Sequence, residues 1–457
     1  MFDLGIIGGG PAGYSAAERA AVYGLKVVIF EKSEWGGVCL NCGCIPTKAL
    51  LYSAKLLENI KEANKYGISV ENVSYDYAKI ILRKNKIVRK LNAGIRAKLN
   101  HENIQMVQGE VYINGEDNDI FSLTANGQQY ECCNLLICTG SHNVFPPIKG
   151  INPETVWSST EALDAKDLPS DIVIIGGGVI GIELAAFFNA FDVKVTIIEM
   201  LDEILGNMDR QISALLRQEF TKKGIRFFLN SKVLEKNGNE ILFENEGQFH
   251  SISAGKVLLS VGRKPNISGF GLENLPVEIL NGGIKINNHC QTSLDHVFAA
   301  GDVTGFSMLA HTAVMEAEIA VDYICGKIRE TNYSLVPSVV YTFPEVASVG
   351  ETEESLHTKN QKFKITTLPM SFSGRFVAEN EGKNGLCKIL SDENGKLLGI
   401  HLLGNPASEL ITTAALAIEC GLSVNEWQSC IFPHPTTSEI FKETLFELIK
   451  NERYTNL

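Results

Sequence analysis

The chain has 457 residues, a length that predicts about three domains. Hydrophobic residues make up 45% of it and charged residues 21%, an ordinary globular composition that excludes disorder of the whole chain. The 41 basic and 53 acidic residues give a formal net charge of −12, which disfavours nonspecific binding to nucleic acid or anionic lipid.

No long uncharged apolar run is present, and the residues after Met1 have the pattern of a strand rather than of a targeting segment. We therefore expect a cytoplasmic protein without a membrane span. The basic cluster between residues 83 and 98 is interpreted as a solvated helix face. Eleven cysteines, an odd number in a long chain, argue against a structural disulfide framework.

The first predicted elements are an apolar strand, a Gly-rich turn, a helix of small residues and a second strand that ends at Glu31. The turn carries Gly8, Gly10 and Gly13. In a dinucleotide-binding βαβ unit such glycines make the tight turn, admit the pyrophosphate and let the helix pack on the strand. The helix N-terminus favours phosphate, and the acid binds a ribose hydroxyl. This pattern predicts a dinucleotide site.

Three cysteines, Cys39, Cys42 and Cys44, follow within six residues of one another. A zinc site is one interpretation, although tetrahedral zinc requires a fourth ligand, and a buried structural cluster is another. A redox pair is the third. Cys39 and Cys44 are expected about one and a half turns apart at a helix N-terminus, which lowers a thiol pKa.

Long amphipathic helices are predicted over 49–66 and 77–100, and a small antiparallel sheet over 104–139. The sheet is expected to turn at Asn114-Gly115 and at Asn126-Gly127. A buried strand ends this region at Thr139 and Gly140, which we expect to contact a cofactor. A proline-rich linker follows at 146–153.

The βαβ pattern repeats about 170 residues later with Gly176, Gly178, Gly181 and Glu199. Two complete fingerprints predict two dinucleotides in one chain. Glu199 accepts a hydrogen bond from a free 2′-hydroxyl and repels a 2′-phosphate, and no arginine follows it closely. The second dinucleotide is therefore expected to be NAD rather than NADP. The strand that ends at Gly262 parallels the one that ends at Gly140, and Gly262 is also expected at a cofactor.

A return segment over about 271–335 is followed by alternating strands and helices. Near the C-terminus, prolines on both sides fix a loop around His434, with Glu439 five residues on. A carboxylate in that place would hold the imidazole tautomer and raise its basicity. Taken alone, a histidine in a proline-rich loop is more often a surface residue, and it becomes a candidate base only beside a redox pair.

Residues 36–48, GGVCLNCGCIPTK, resemble the GG-x-CLN-x-GCIP-[ST]-K signature of the pyridine nucleotide–disulfide oxidoreductases. The resemblance extends from Asp3 to about Glu447 and implies a redox disulfide between Cys39 and Cys44. It also implies that Lys48 lies beside a flavin ring and pairs with Glu183.

The same resemblance assigns further residues. Asp302, in a second flavin motif, is implied to bind the ribityl chain of FAD. The MLAH segment is implied to lie beside the flavin, and it comprises Met308, Leu309, Ala310 and His311. His434 and Glu439 fall on a catalytic dyad that, in this family, reaches the active site of the partner subunit, which implies a homodimer.

Three departures separate the chain from related groups within the family. Val179 stands where glutathione-type reductases have a tyrosine, the tail lacks the cysteine pair of mercuric reductases, and the first redox cysteine, absent from soluble transhydrogenases, is present. The chain is most similar to the dihydrolipoamide dehydrogenases. A reductase of another small disulfide, similar to glutathione reductase, is the alternative. A structural subunit or adhesin without turnover is the third interpretation. Cys42, where the family has an aliphatic residue, is interpreted as a small apolar filler.

The implied fold is α/β, with two Rossmann-like domains for FAD and NAD and a C-terminal α+β dimerisation domain. The expected boundaries are 1–148 for the FAD domain, 149–270 for the NAD domain, 271–336 for the return segment and 337–457 for the interface domain. The implied reaction is oxidation of protein-bound dihydrolipoamide by NAD. The implied partners are the lipoyl and peripheral-subunit-binding domains of a 2-oxo acid dehydrogenase acyltransferase, or a lipoyl H-protein. We expect no metal, nucleic acid or membrane partner.

Overall fold

The computed structural model describes residues 1–330 and 332–455, with the side chains of 1–330 and 332–450. Three units follow one another in these residues, each built on its own β-sheet. The first two units have parallel sheets flanked by helices, and the third has an antiparallel sheet.

The first unit is a parallel sheet extended by an antiparallel meander, in the order β3-β2-β1-β6-β5-β4. The strands β1 and β2 are apolar and largely buried, as parallel strands covered by helices must be. Its elements are β1 (Phe2–Ile7), α1 (Pro11–Val22), β2 (Val27–Glu31), α2 (Gly37–Cys42), α3 (Cys44–Lys61), α4 (Tyr77–Leu99), β3 (Ile104–Gln108), β4 (Val111–Asp117), β5 (Ile120–Ala125), β6 (Gln128–Ile137) and β7 (Ser141–Asn143).

The second unit repeats the parallel arrangement, in the order β10-β9-β8-β14, and adds a three-stranded meander. A short antiparallel pair, β7 with β15, links it to the first unit. Its elements are α5 (Ser159–Leu163), β8 (Asp171–Ile175), α6 (Val179–Ala190), β9 (Lys194–Ile198), α7 (Arg210–Lys222), β10 (Arg226–Phe228), β11 (Ser231–Asn237), β12 (Glu240–Asn245), β13 (Gln248–Ser253), β14 (Lys256–Leu259) and β15 (Arg263–Pro265).

The chain then returns to the first sheet, where a short strand pairs in parallel with β6. The helix that follows packs on α1, so that residues almost 300 apart in sequence share one core. The elements of this segment are β16 (Ile279–Leu280), β17 (Gly283–Ile284), β18 (Val297–Ala299) and α8 (Ala310–Ile324).

The third unit is an antiparallel sheet in the order β19-β20-β23-β22-β21, packed against two long helices. Its elements are β19 (Ser338–Val340), β20 (Val346–Gly350), α9 (Glu353–Thr358), β21 (Lys364–Pro369), α10 (Gly374–Glu379), β22 (Leu386–Ser391), β23 (Leu397–Leu403), α11 (Ala407–Glu419), α12 (Val424–Gln428) and α13 (Glu439–Thr455). This architecture agrees with the fold class inferred from the sequence.

Two local predictions are wrong. Asn114-Gly115 is not a turn: both residues lie within β4, where the register with β5 shifts at a bulge, and the chain turns at Asn118 and Asp119 instead. In addition, β3 is not part of the antiparallel meander but pairs in parallel with β2. None of the helices formed by the described residues is long and apolar enough to cross a membrane.

A buried ion cluster joins the second and third units. The Lys388 Nζ, on β22, lies 2.7 Å from Asp209 Oδ2 and 2.6 Å from Glu353 Oε2. Asp209 also caps α7 by accepting hydrogen bonds from the Gln211 and Ile212 amides. The side chains of Lys388 and Asp209 are fully buried. Removing one member of such a pair leaves the other charge buried without compensation.

We expect Lys388→Met to lower the free energy of unfolding by about 3–5 kcal/mol. Lys285→Met is the matched control, because Lys285 pairs with Glu278 at 2.6 Å on the surface, and we expect it to cost less than about 1 kcal/mol. Chemical unfolding followed by circular dichroism measures both. Equal, small effects would show that the buried cluster does not stabilise the junction.

Candidate active site

The first fingerprint forms a phosphate cradle at the end of β1. A Cβ on Gly13 would lie 1.8 Å from the Gly8 carbonyl oxygen, and one on Gly8 would lie 2.2 Å from the Cys138 carbonyl oxygen. Gly10 precedes α1 without capping it through a side chain, so the first amides of the helix remain for a ligand. The Glu31 carboxylate accepts hydrogen bonds from the Gly9 and Ser33 amides at 2.8 and 2.7 Å. These residues fit a dinucleotide.

The second fingerprint has the same construction at the end of β8. A Cβ on Gly181 would lie 2.3 Å from the Gly176 carbonyl oxygen, and α6 begins after an uncapped Gly178. The Glu199 carboxylate accepts from the amides of Gly177 at 2.5 Å and Leu201 at 2.7 Å. Its charge is thus fixed beside the Gly-rich turn of the second fingerprint.

The two redox candidates lie in different helices rather than at the start of one. Cys39 is within the short helix α2, whereas Cys44 is the first residue of α3. Gly43 separates the helices, and a Cβ there would lie 2.8 Å from the Val38 carbonyl oxygen. The predicted placement on one helix is therefore wrong, because this break between them was not anticipated. Cys44 keeps the predicted position at a helix N-terminus.

Cys39 and Cys44 are free thiols in the structure and form a hydrogen bond with each other. That bond lowers the pKa of Cys44 to about 7, and the nearby charge of Lys48 contributes to this shift. The same bond, together with burial, raises the pKa of Cys39. Cys44 is therefore the more acidic thiol of the pair and Cys39 the less acidic one.

Hydrogen bonds from α2 and α4 fix the loop that carries these cysteines. The side-chain amide of Asn92, on α4, donates to the Trp35 carbonyl at 2.6 Å. The side-chain amide of Asn41, on α2, donates to the same carbonyl at 3.0 Å. The Trp35 ring is buried beneath Gly9, where a Cβ would lie 2.8 Å from it. The first phosphate cradle and the cysteine loop are therefore packed as one piece.

An ion pair lies one helical turn after Cys44. The Lys48 Nζ donates to both carboxylate oxygens of Glu183, at 3.0 and 2.8 Å. The pair forms because α3 packs on α6 in a shared apolar core, which brings the two helices of different units together. Lys48 and Glu183 thus meet as the family resemblance implies.

Asp302 lies beside the link between the first two units. Its carboxylate accepts a 2.5 Å hydrogen bond from the Ser141 hydroxyl, which also accepts from Arg263 Nε at 2.8 Å. The preceding Gly301 amide donates to the buried Glu316 carboxylate at 2.6 Å, and burial raises the pKa of Glu316 to about 7. Gly262 and Gly140 flank this link, both with positive φ.

The MLAH segment leads into α8. Leu309 precedes the helix and Ala310 is its first residue, whereas Met308 is partly exposed. The His311 Nε2 contacts the Pro337 carbonyl at 2.8 Å. Thr139 exchanges hydrogen bonds with Asn266 at 2.7 and 2.8 Å, which closes the end of β6 onto the second unit.

The dyad forms but does not meet the cysteines within one chain. The His434 Nδ1 lies 2.9 Å from Glu439 Oε1, and the Glu439 carboxylate also accepts from the Thr436 amide at 2.8 Å. These contacts lower the pKa of Glu439, the amide contributing most. The imidazole is 80% exposed, and among the described residues it hydrogen-bonds to Glu439 rather than to either cysteine.

Sequence reasoning missed several residues around the pair. The Tyr341 ring centroid lies 4.4 Å from Lys48 Nζ. Burial raises the pKa of Tyr14, and the nearby charges of Cys39 and Cys44 contribute to the rise. Neither tyrosine stands out in the local sequence pattern. Cys42 points elsewhere, to a hydrogen bond with Thr160, and burial raises its pKa. Among the described residues, no group of three His, Cys, Asp or Glu side chains is placed to hold a metal ion.

Comparisons with known proteins agree with this geometry. The pyridine nucleotide-disulphide oxidoreductase family model matches residues 2–317, and its dimerisation domain matches residues 336–445. A dihydrolipoyl dehydrogenase of Bacillus subtilis is 38% identical over 97% of both chains, and one of Geobacillus stearothermophilus is 36% identical over 96% and 94%.

Solved structures give the same result. The HOCl-induced flavoprotein disulfide reductase RclA of Escherichia coli is 28% identical, with a TM-score of 0.85 over 97% of this chain and 99% of that one. With two fingerprints, a paired dithiol and matches over nearly its full length, this chain belongs to the pyridine nucleotide-disulphide oxidoreductase family.

Proposed function

We propose that this chain oxidises the dihydrolipoyl group of a carrier protein to lipoyl, with NAD as the final acceptor. Its family and its dihydrolipoyl dehydrogenase relatives support its being a flavoprotein disulfide oxidoreductase that uses FAD and NAD(H). The observation that supports the proposed reaction most is the Cys39–Cys44 pair beside Lys48, held against the first phosphate cradle.

In the proposed first half-reaction, the free nitrogen of His434 takes the proton of one substrate thiol. The substrate thiolate attacks the Cys39 sulfur of the disulfide, and the Cys44 sulfur leaves as a thiolate. A pKa of about 7 makes Cys44 the better leaving group, since exchange is faster when the departing thiol is more acidic.

The second substrate thiol then attacks the substrate sulfur bonded to Cys39, closing the lipoyl disulfide and releasing Cys39. Its proton goes to Cys39, whose raised pKa favours the thiol form. The two substrate protons are thus on His434 and Cys39, and the electron pair is held by the dithiol. FAD, held at the first phosphate cradle, would supply the two-electron chemistry that carries this electron pair from the dithiol to NAD.

We propose that His434 acts on the cysteines of the partner subunit. The dimerisation domain of the family spans residues 336–445 and supports a homodimer. Because the His434 imidazole is exposed and, in the part of the chain that the structure describes, hydrogen-bonds through Nδ1 to Glu439, its other nitrogen is available to a site outside its own chain. The lowered pKa of Glu439 keeps that carboxylate ionised, so it holds the proton of the imidazole on Nδ1.

The remaining assignments are part of the proposal. The domain boundaries are 1–148, 149–270, 271–336 and 337–457. FAD is bound by the first fingerprint (Gly8, Gly10, Gly13 and Glu31), by Asp302 and by the MLAH segment, and NAD is bound by the second fingerprint (Gly176, Gly178 and Gly181). Glu199 selects NAD. The partners are the lipoyl and peripheral-subunit-binding domains of an acyltransferase, or a lipoyl H-protein, in the cytoplasm.

Steady-state turnover tests the substrate and the acceptor together. We expect dihydrolipoamide to be oxidised with NAD at a kcat/KM at least about 100-fold above that with NADP, because Glu199 repels a 2′-phosphate. NADH and NADPH are compared in parallel with glutathione disulfide as the substrate. Faster turnover of glutathione disulfide than of lipoamide would overturn the proposal in favour of a small-disulfide reductase.

His434→Gln removes the proposed base while keeping a polar side chain. We expect dihydrolipoamide oxidation to fall by about 10²- to 10⁴-fold, while the rate at which NADH reduces the flavin stays unchanged. Stopped-flow absorbance separates these half-reactions.

His357→Gln is the matched control, because His357 also pairs with a glutamate, Glu353, on the surface at 3.9 Å. It should change neither half-reaction. Equal loss of both half-reactions in His434→Gln would contradict the assigned role.

A further inference from the structure

Tyr341 is the first residue after β19, and it contacts both members of the ion pair near the cysteines. Its ring centroid lies 4.4 Å from the Lys48 Nζ. Its backbone amide donates to Glu183 Oε1 at 2.9 Å, the same oxygen that accepts from Lys48 at 3.0 Å. One residue of the third unit thus contacts a cation of the first unit and an anion of the second.

The two contacts limit the ion pair in different ways. The Glu183 side chain is buried, and the hydrogen bond from the Tyr341 backbone amide fixes one of its carboxylate oxygens. The Lys48 side chain is one-third exposed, so its ammonium could otherwise move toward solvent. A ring face beneath an ammonium favours one position of the cation. The ring therefore adds a constraint on Lys48 that Glu183 alone does not provide.

The segment that carries Tyr341 is itself well anchored. Val340 pairs with Val346 in the sheet, and the Thr342 hydroxyl donates to the Pro344 carbonyl at 2.6 Å. The Phe343 ring lies near three lysine ammonium groups at 4.3–5.8 Å, and one of them, from Lys223, donates to the Phe343 carbonyl at 2.7 Å. Lys55 and Lys223 belong to the first and second units, so the position of Tyr341 is set by the sheet of its own unit together with contacts from the other two.

We infer that Tyr341 is a positioning residue that holds the Lys48 ammonium beside Cys44 and ties the redox pair to the dimerisation domain. The inference rests on the proposed function, in which Lys48 acts next to the dithiol. Tyr341 acts through Lys48. The Lys48 charge stabilises the Cys44 thiolate, and a lysine that is free to move would stabilise that thiolate less.

The test measures the thiolate rather than turnover. The holoenzyme is reduced with dithiothreitol, and the rate of alkylation by iodoacetamide is followed from pH 5 to 10. Peptide mass spectrometry assigns the modified cysteine, since Cys42 is near in sequence. We expect a wild-type rate that rises through an apparent pKa of about 7 for the pair.

Tyr341→Leu should raise that apparent pKa by roughly 0.5, and Tyr341→Phe, which keeps the ring face, should restore the wild-type value. Lys48→Met should raise it by about 1 or more, and the double variant should equal Lys48→Met. Tyr23→Leu is the matched control: the Tyr23 ring also lies against a lysine, Lys327, at 3.8 Å, but neither residue belongs to α3 or α6, and its loss should leave the apparent pKa unchanged.

An unchanged pKa in Tyr341→Leu, or a further rise when this change is added to Lys48→Met, would overturn the inference. Tyr341→Met, a milder truncation, replaces Tyr341→Leu if the latter does not fold. Absence of dihydrolipoamide turnover in the wild type would instead refute the proposed function and leave this result standing. The two failures are therefore distinguishable.

Discussion

The contact between α3 and α6 is the interaction on which the rest of the site depends. The two helices come from different units, and their apolar faces share one core. Because Cys44 and Lys48 are both in the first two turns of α3, this packing sets the redox pair at the junction of two dinucleotide cradles. Moving α3 would separate Lys48 from Glu183 and the cysteines from the first cradle.

Electrostatic asymmetry within the pair gives the two cysteines different chemistry. Cys44 lies at a helix N-terminus and near Lys48, and its pKa is lowered to about 7. The pKa of Cys39 is raised by its hydrogen bond with Cys44 and by burial. One thiol is therefore suited to leave and to hold negative charge, while the other is suited to be attacked and to be protonated. Both residues are cysteines, so their different roles come from their different positions in the structure.

Features fixed by local backbone constraints were predictable from the sequence. The cradle glycines are required because a Cβ at Gly13 or Gly181 would collide with a carbonyl oxygen of the same turn, and this need is visible in the motif. Glu31 and Glu199 follow from the spacing of the same unit. The turn predicted at Asn114-Gly115 is wrong because an Asn-Gly pair also fits a bulge inside a strand.

Contacts between distant segments were not predictable in this way. Tyr341 meets Lys48 across almost 300 residues, and Lys388 meets Asp209 across almost 180. Nothing in the local pattern of either residue indicates its partner, since tertiary packing alone decides the contact. The pairing of Lys48 with Glu183 was found only through resemblance to a family. The break at Gly43 is different, because the contact that requires a glycine there is local, with the Val38 carbonyl oxygen, and it was overlooked in the sequence.

In the proposed mechanism, the histidine of one subunit completes the redox site of the other. Heterodimers of a Cys44→Ser subunit and a His434→Gln subunit, purified through two different tags, test it most directly. Each homodimer lacks one essential group at both sites, whereas the heterodimer keeps one intact site of two. We expect the heterodimer to oxidise dihydrolipoamide at about half of the wild-type rate per dimer. A heterodimer no more active than the two parent homodimers would contradict it.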